Sequence, residues 1–197
     1  MRVNVTKRML SMAVATAVAA SAVVVPAAPQ KADAASSYTA YLCFMSKSYN
    51  GVRSNHNDSD YNKGVMNGNT KKSLSGVKCT NATFKKGNVN FTVSVTGSKL
   101  KSFKKDKGWN TIYVDTSLPG KSKSKLKITK LVLKIDGKTV KTISNPTLTP
   151  DPGASDDFTQ IMCVNSWNNY SEKKCKASSI TKMPTKSISV TVTGKLK

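Results

Sequence analysis

The chain has 197 residues, and its 32 lysine and arginine side chains outnumber its 10 aspartate and glutamate side chains, for a formal net charge of +22 at pH 7. Beyond residue 34, Arg53 is the only arginine, whereas sequence-reading nucleic-acid sites favour the arginine fork. The composition therefore argues against a specific nucleic-acid partner and for diffuse attraction to extracellular anionic polymers. For most lysines, notably those in 99–107 and 120–125, a solvated surface is the simpler interpretation.

The chain begins with the pattern of a secretory signal peptide. Basic residues at positions 2, 7 and 8 precede the apolar run 12–28, and Ala32-Asp33-Ala34 supplies small residues for cleavage. As a membrane span, the run would fall short of the roughly 20 apolar residues that a bilayer needs. We therefore predict a signal peptide over 1–34 and one domain over 35–197, without a transmembrane segment. The expected location is secreted, extracellular or at the cell surface.

Two similar stretches, 41–49 and 161–170, are predicted strands that end in polar and aromatic residues. They read Tyr-Leu-Cys-Phe-Met-Ser-Lys-Ser-Tyr and Ile-Met-Cys-Val-Asn-Ser-Trp-Asn-Asn-Tyr. An extended backbone projects such side chains alternately to its two faces. Rings beside amides suit flat, hydroxyl-rich ligands, although Tyr49 and Trp167 could instead cover the edge of the core.

The polar run that follows the first stretch is predicted to be a surface loop. It contains Asn55, His56, Asn57, Asp58 and Asp60. Such an oxygen-rich loop could hold structural calcium, but its spacing lacks the full helical-hand pattern, so we predict no cofactor. His56 is the only histidine in the chain, and a surface position favours a solvated or ligand-touching role over that of a general base.

The remaining strands follow from alternation and turn residues. Strict alternation marks 91–96 and 188–193, each followed by glycine, and a shorter strand spans 111–115. The stretch 126–135 alternates with a slip at Lys130, which predicts a β-bulge, and Asp136-Gly137 predicts a tight hairpin. A proline-rich loop leads into a strand at Phe158.

These elements define the expected fold. We see no convincing helix beyond the signal peptide, and seven to nine short strands with regular turn signals predict an all-β chain. The expected architecture is a single antiparallel β-sandwich of the jelly-roll type.

Four cysteines in an exported chain predict two disulfides. Pairing Cys43 with Cys163 and Cys79 with Cys175 respects the internal similarity, and so do the local pairs 43 to 79 and 163 to 175. Free thiols are the alternative in a reducing habitat. A metal site is less favoured because the sequence contains no Cys-x-x-Cys spacing.

Several weak motifs occur in one order along the mature chain. They are Ala40-Tyr41-Leu42, Tyr49, Arg53-Ser54-Asn55, the strands 87–93 and 126–128, Asp136-Gly137-Lys138, Asn165-Ser166-Trp167 and the strand 188–192. In this order the chain resembles the β-sandwich carbohydrate-binding modules of secreted cellulases and surface proteins of gut and rumen clostridia. It departs from them in lacking a tryptophan behind the Arg-Asn step and in carrying Ser166 in place of an acid.

The resemblance implies a sugar site on one sheet face. Its residues would be Tyr41, Tyr49 and Trp167 as stacking rings, with Arg53, Asn55, Asn165 and Asn168 as hydrogen-bonding partners of hydroxyl groups. Arg53 could instead pair with Asp58 or Asp60, and the two later asparagines could be turn formers.

We therefore expect a secreted, noncatalytic polysaccharide-binding protein whose partner is a polysaccharide or cell-wall glycan, with lysine charge adding retention on anionic polymers. Catalysis is not expected, because glycoside hydrolysis usually needs two opposed carboxyl groups and Glu172 is the only glutamate. The alternative is a cationic cell-surface or wall-associated structural protein that binds anionic polymers by charge alone.

Overall fold

A computed structural model describes residues 37–48, 50–53, 65–67, 73–74, 77–150, 158–166 and 173–197. Within these ranges the chain is mainly β, and two antiparallel sheets pack against each other. This confirms the predicted all-β sandwich. The signal peptide predicted over 1–34 lies outside the described residues.

The first sheet has eight strands. Its members are β1 (Tyr38–Ser46), β2 (Asn50–Arg53), β3 (Val65–Asn67), β4 (Ser73–Leu74), β6 (Ala82–Phe84), β8 (Trp109–Pro119), β11 (Leu148–Pro150) and β12 (Phe158–Asn165). The strand order is β11-β12-β8-β1-β2-β3-β4, and β6 pairs with the start of β1. The strands that the sequence pattern missed have two to four residues each, which is too short for a period of two to be recognised.

The second sheet has five strands. They are β5 (Lys78–Thr80), β7 (Gly87–Thr96), β9 (Leu126–Ile135), β10 (Lys138–Ser144) and β13 (Ser187–Leu196), in the order β10-β9-β13-β7-β5. Alternate residues of β7 and β13 are buried, for example Val93 and Val190, which oppose each other in register. Together with the inward residues of the first sheet, such as Leu42 and Phe44, they form the main core because a period of two places them on one face.

The predicted bulge and hairpin are both present in the second sheet. In the pairing of β9 with β13, Ile128 opposes Gly194 and Lys130 opposes Thr193, so Thr129 is the extra residue beside the predicted slip. Asp136 and Gly137 have φ angles of 50° and 77°, as the first and second residues of a two-residue hairpin with a primed turn require.

Four segments differ from the sequence-based expectation. The strand predicted over 111–115 extends over the whole of β8. No helix is expected beyond the signal peptide, but Ser98–Lys105 and Gly120–Lys125, expected only to be solvated lysine surface, are 3₁₀ helices, and Ala177–Ser179 forms a third. Leu100 and Phe103 are fully buried and fix the first helix to the core, which the surrounding lysines obscured in the sequence. No described helix is long and apolar enough to cross a membrane.

All four cysteines are free thiols, so the two predicted disulfides are absent from this structure. Cys43 opposes Tyr113, which in turn opposes Met162, and this register puts Cys43 about two strand spacings, or roughly 10 Å, from Cys163. A disulfide needs Cα atoms within about 7 Å. The pairing of Cys43 with Cys163 is therefore excluded by the strand order.

Candidate functional site

The two similar sequence stretches lie on either side of β8. Because β1 and β12 are both antiparallel to β8, they run parallel to each other and end at the same edge of the sheet. Phe44 and Val164 both oppose Ile112 of β8. Met45 and Asn165 both oppose Thr111. A register shift between Met162 and Val164 leaves Cys163 as the extra residue. The internal similarity of the sequence thus corresponds to matching positions in the sheet.

Asn110 joins the two strand ends. Its Nδ2 donates a hydrogen bond to the carbonyl oxygen of Ser46 at 3.0 Å, and its Oδ1 accepts one from the hydroxyl of Ser166 at 3.4 Å. The backbone N–H of Ser166 also donates to the carbonyl of Asn110 at 2.7 Å. Sequence reasoning missed this residue, because nothing in the chain marks an asparagine behind a tryptophan as a bridge.

A pocket of about 360 Å³ opens beside the end of β1 and the start of β8. Its lining residues are Lys47, Asp106, Lys107, Gly108, Trp109, Ala177, Ser178, Ile180 and Thr181, and we call it the strand-end pocket. The Ser46 hydroxyl donates a hydrogen bond to Asp106 Oδ2 at 2.5 Å, which ties the pocket to the end of β1.

Trp109 belongs to the core rather than to a stacking surface. Its side chain is fully buried, its ring meets that of Phe44 edge-on at 5.7 Å, and its Nε1 donates to the carbonyl of Lys182 at 3.2 Å. The described pocket therefore offers a carboxylate, ammonium groups and hydroxyls to a ligand. Such a set suits a ligand rich in hydroxyl or acidic groups.

Two of the predicted site residues can be placed with their side chains. Tyr41 and Asn165 both lie on the outer face of the eight-stranded sheet, since the alternate residues Leu42 and Val164 belong to the core. They are two strands and about four residues apart in register, or roughly 16 Å between Cα atoms. Tyr41 is partly exposed, whereas Asn165 is only 7% exposed. The structure puts them on one face but does not bring them into contact.

The other predicted site residues are less defined. Arg53 is the last residue of β2, and its backbone opposes Cys43. Tyr49, Asn55, Trp167 and Asn168 lie outside the described residues. So does the loop considered for calcium, and among the described residues no group of three or more His, Cys, Asp or Glu side chains could hold a metal ion.

The middle of the outer face is closed. Cys43, Tyr113 and Met162 form a second small cluster of buried residues there, separate from the main core, and the polar residues Asp115 and Gln160 are also buried. Tyr113 and Asp115 went unrecognised as face residues in the sequence, although the alternation of 111–115 was visible. The accessible part of the site is therefore at the strand ends rather than along the middle of the sheet.

The electrostatic character of the described surface comes from lysine. Three of the ten acidic residues are described, and each has hydrogen-bonding partners: Asp106 binds Ser46, Asp115 accepts from the Thr116 N–H, and Asp136 binds 185–187. Burial raises the pKa of Asp136, but hydrogen bonds from the backbone of Ser187 and Lys186 and from Thr185 outweigh it and lower the pKa to about 2. The exposed lysines far outnumber these three carboxylates among the described residues and therefore set the field.

No protein-family model, curated protein or solved structure matches this chain.

Proposed function

We propose that the protein is a secreted, noncatalytic polysaccharide-binding sandwich whose ligand binds where β1 and β12 end. The observation that carries the proposal is the register of the two motifs: Ser46 and Ser166 finish on either side of β8 and are joined through Asn110. Trp167 and Asn168 follow Ser166 directly in the chain, and Tyr49 follows Ser46 after two residues. The segments that carry the rings and amides of both motifs therefore follow, in the chain, two strand ends that are neighbours in the sheet.

The strand-end pocket supports the same proposal. A sugar has an apolar face for an aromatic ring and a rim of hydroxyl groups that need donors and acceptors. Asp106 supplies an acceptor, and Lys47 and Lys107 supply donors at the pocket wall. Trp167 is proposed as the stacking ring, with Tyr49 as a further aromatic contact and Arg53, Asn55 and Asn168 as hydroxyl partners. Tyr41, near the start of β1, and the buried Asn165 are left out of this proposed contact set.

One observation favours a second candidate function, retention on anionic polymers by charge alone. Most described lysines are exposed, and the three described carboxylates are engaged in internal hydrogen bonds. A surface of this kind attracts any polyanion through counterion release, without a defined sugar site.

Pull-down on insoluble polysaccharides and purified cell wall tests the proposal, at low and high salt. Trp167→Ala is compared with Trp167→Phe, which keeps a ring for stacking. We expect salt-resistant retention on one glycan, lost in Trp167→Ala and largely kept in Trp167→Phe, since stacking does not depend on ionic strength. Retention on every polyanion, lost in salt and unchanged by both substitutions, would replace the glycan site with charge alone.

A further inference from the structure

A second pocket adjoins the 3₁₀ helix Ala177–Ser179, which also contributes to the strand-end pocket. Its volume is about 390 Å³, and its lining residues are Lys141, Lys173, Lys174, Cys175, Lys176, Ser178 and Ser179. We call it the lysine pocket. Four of its seven described lining residues are lysines, and none of these seven is acidic. This concentration of positive charge exceeds that of the strand-end pocket.

The backbone at Lys176 is held by buried neighbours and by hydrogen bonds. Cys175, Ala177 and Ile180 are buried in the main core. Lys176, Ser178 and Ser179, which lie between them, are exposed. The carbonyl of Lys176 accepts hydrogen bonds from both the N–H and the hydroxyl of Ser179, at 3.0 and 2.7 Å. The backbone is therefore fixed at Lys176, and Lys174 directly precedes the buried Cys175.

Lys141 reaches the same pocket from the five-stranded sheet. It lies on β10, the edge strand of the five-stranded sheet, opposite the buried Leu133. Its charge acts on Cys163 of β12, and Cys163 is hydrogen-bonded to Cys175. The lysine pocket therefore draws its cations from β10 and from the segment 173–176, which belongs to no strand, so no single lysine-rich stretch of the sequence supplies all four.

We propose that the lysine pocket is a subsite for a tetrahedral oxyanion, a phosphate or sulfate group, carried on the bound polysaccharide. Lysine is a compact point charge that binds such groups without the planar geometry that arginine imposes. Four ammonium groups exceed the charge of one dianion, so the pocket suits a ligand with closely spaced oxyanions or an oxyanion within a polymer.

The position of the pocket agrees with a polymer ligand. Ser178 of the 3₁₀ helix Ala177–Ser179 lines both pockets, so the two adjoin at this helix. A chain bound in the strand-end pocket would reach the lysine pocket by crossing this short helix. The polysaccharide part of the inference rests on the proposed function, whereas binding of a free oxyanion does not.

Titration with small ions tests the subsite without any glycan. Inorganic phosphate, sulfate and tripolyphosphate are added to the purified protein at constant ionic strength, with acetate as the carboxylate control. We compare Lys141→Gln/Lys174→Gln with Lys99→Gln/Lys104→Gln, which removes two exposed lysines from the helix Ser98–Lys105. Both variants lose the same charge, and circular dichroism checks that both are folded.

The subsite predicts that the pocket variant binds tripolyphosphate about tenfold more weakly, while the control variant changes by less than about twofold. It also predicts that tripolyphosphate protects the four pocket lysines from acetylation, read by mass spectrometry, more than other lysines. The better of phosphate and sulfate identifies the source of the oxyanion. Equal losses in both variants, uniform protection, or acetate binding as tightly would overturn the subsite, and none of these results bears on Trp167-dependent glycan retention.

Discussion

The side-chain amide of Asn110 donates to the backbone carbonyl of Ser46 at 3.0 Å, in a place where only 8% of the asparagine is exposed. The same amide accepts from Ser166 on the neighbouring side. One buried side chain therefore holds together the ends of two strands that are more than a hundred residues apart in sequence.

Replacing Asn110 with alanine should lower the free energy of unfolding by about 1–2 kcal/mol, because a buried carbonyl loses its partner. Retention on the glycan should fall as well, since the strand ends would no longer be held in register. Thr92→Ala is the control: its hydroxyl bonds to Thr191 at 2.8 Å on the exposed face of the other sheet. Urea unfolding and pull-down together check this. An Asn110→Ala protein with wild-type stability would contradict the bridging role.

Asp136 should make the stability depend on pH. Its folded pKa of about 2 lies below the ordinary 3.8, so its contribution is present above about pH 4 and is lost as pH falls through about 2. After allowance for solvent screening we expect this contribution to be about 1 kcal/mol. Asp136→Asn removes the charge and one of the two acceptor oxygens, while asparagine still tolerates the positive φ of this turn.

The unfolding free energies of wild type and Asp136→Asn should differ at neutral pH and converge near pH 2. Denaturant unfolding at a series of pH values measures this. A constant difference across the whole range would mean that the carboxylate charge is not what holds 185–187.

Gly194 should be the least replaceable of the glycines in the second sheet. A Cβ there would lie 2.3 Å from the carbonyl oxygen of Lys127 and 2.8 Å from the Cα of Ile128, and backbone atoms cannot move away cheaply. We expect Gly194→Ala to cost about 2–3 kcal/mol. Gly137→Ala, which meets nothing within 4 Å but has a φ of +77°, should cost about 1 kcal/mol. Thermal unfolding ranks the two, and the reverse order would refute the bulge geometry.

The thiols should differ in reactivity. Cys79 lies on the edge strand β5 and is only partly buried, so reagents can reach its thiol. This partial burial raises the pKa of the Cys79 thiol. The hydrogen bond with Cys175 and complete burial raise the pKa of the Cys163 thiol well above 9.0. Alkylation of the folded protein followed by mass spectrometry should therefore label Cys79 first and Cys163 much later. Equal labelling rates, or thiols that react only after reduction, would contradict this.

The regular parts of the sandwich could be predicted because their signals are local. Alternation in 91–96 and 188–193, the slip at Lys130 and the Asp136-Gly137 turn each depend on a few neighbouring residues, and each has its predicted form in the structure. The strand at 188–193 nevertheless continues through Gly194 to Leu196. Glycine is needed at position 194 because β9 approaches its backbone closely, not because the chain turns there.

The site was harder to predict because it depends on strand order. The similarity of 41–49 and 161–170 was visible in the sequence, but only the pairing of both strands with β8 makes their ends neighbours. Asn110 and Lys141 had no distinguishing context in the chain, since each acts through residues from distant strands. The pairing of Cys43 with Cys163 failed for the same reason, because sequence similarity does not give the number of strands between two positions.

The central claim is that binding depends on a built glycan site rather than on net charge. The most direct measurement is the affinity of the protein for a soluble form of the glycan that retains it in the pull-down, at salt concentrations between about 0.05 and 0.5 M. A stacking site with one anion contact predicts a slope of log affinity against log salt no steeper than about −1. Attraction by many lysines predicts a slope that is several units more negative. A shallow slope together with loss of binding in Trp167→Ala supports the account, and a steep slope that Trp167→Ala leaves unchanged would contradict it.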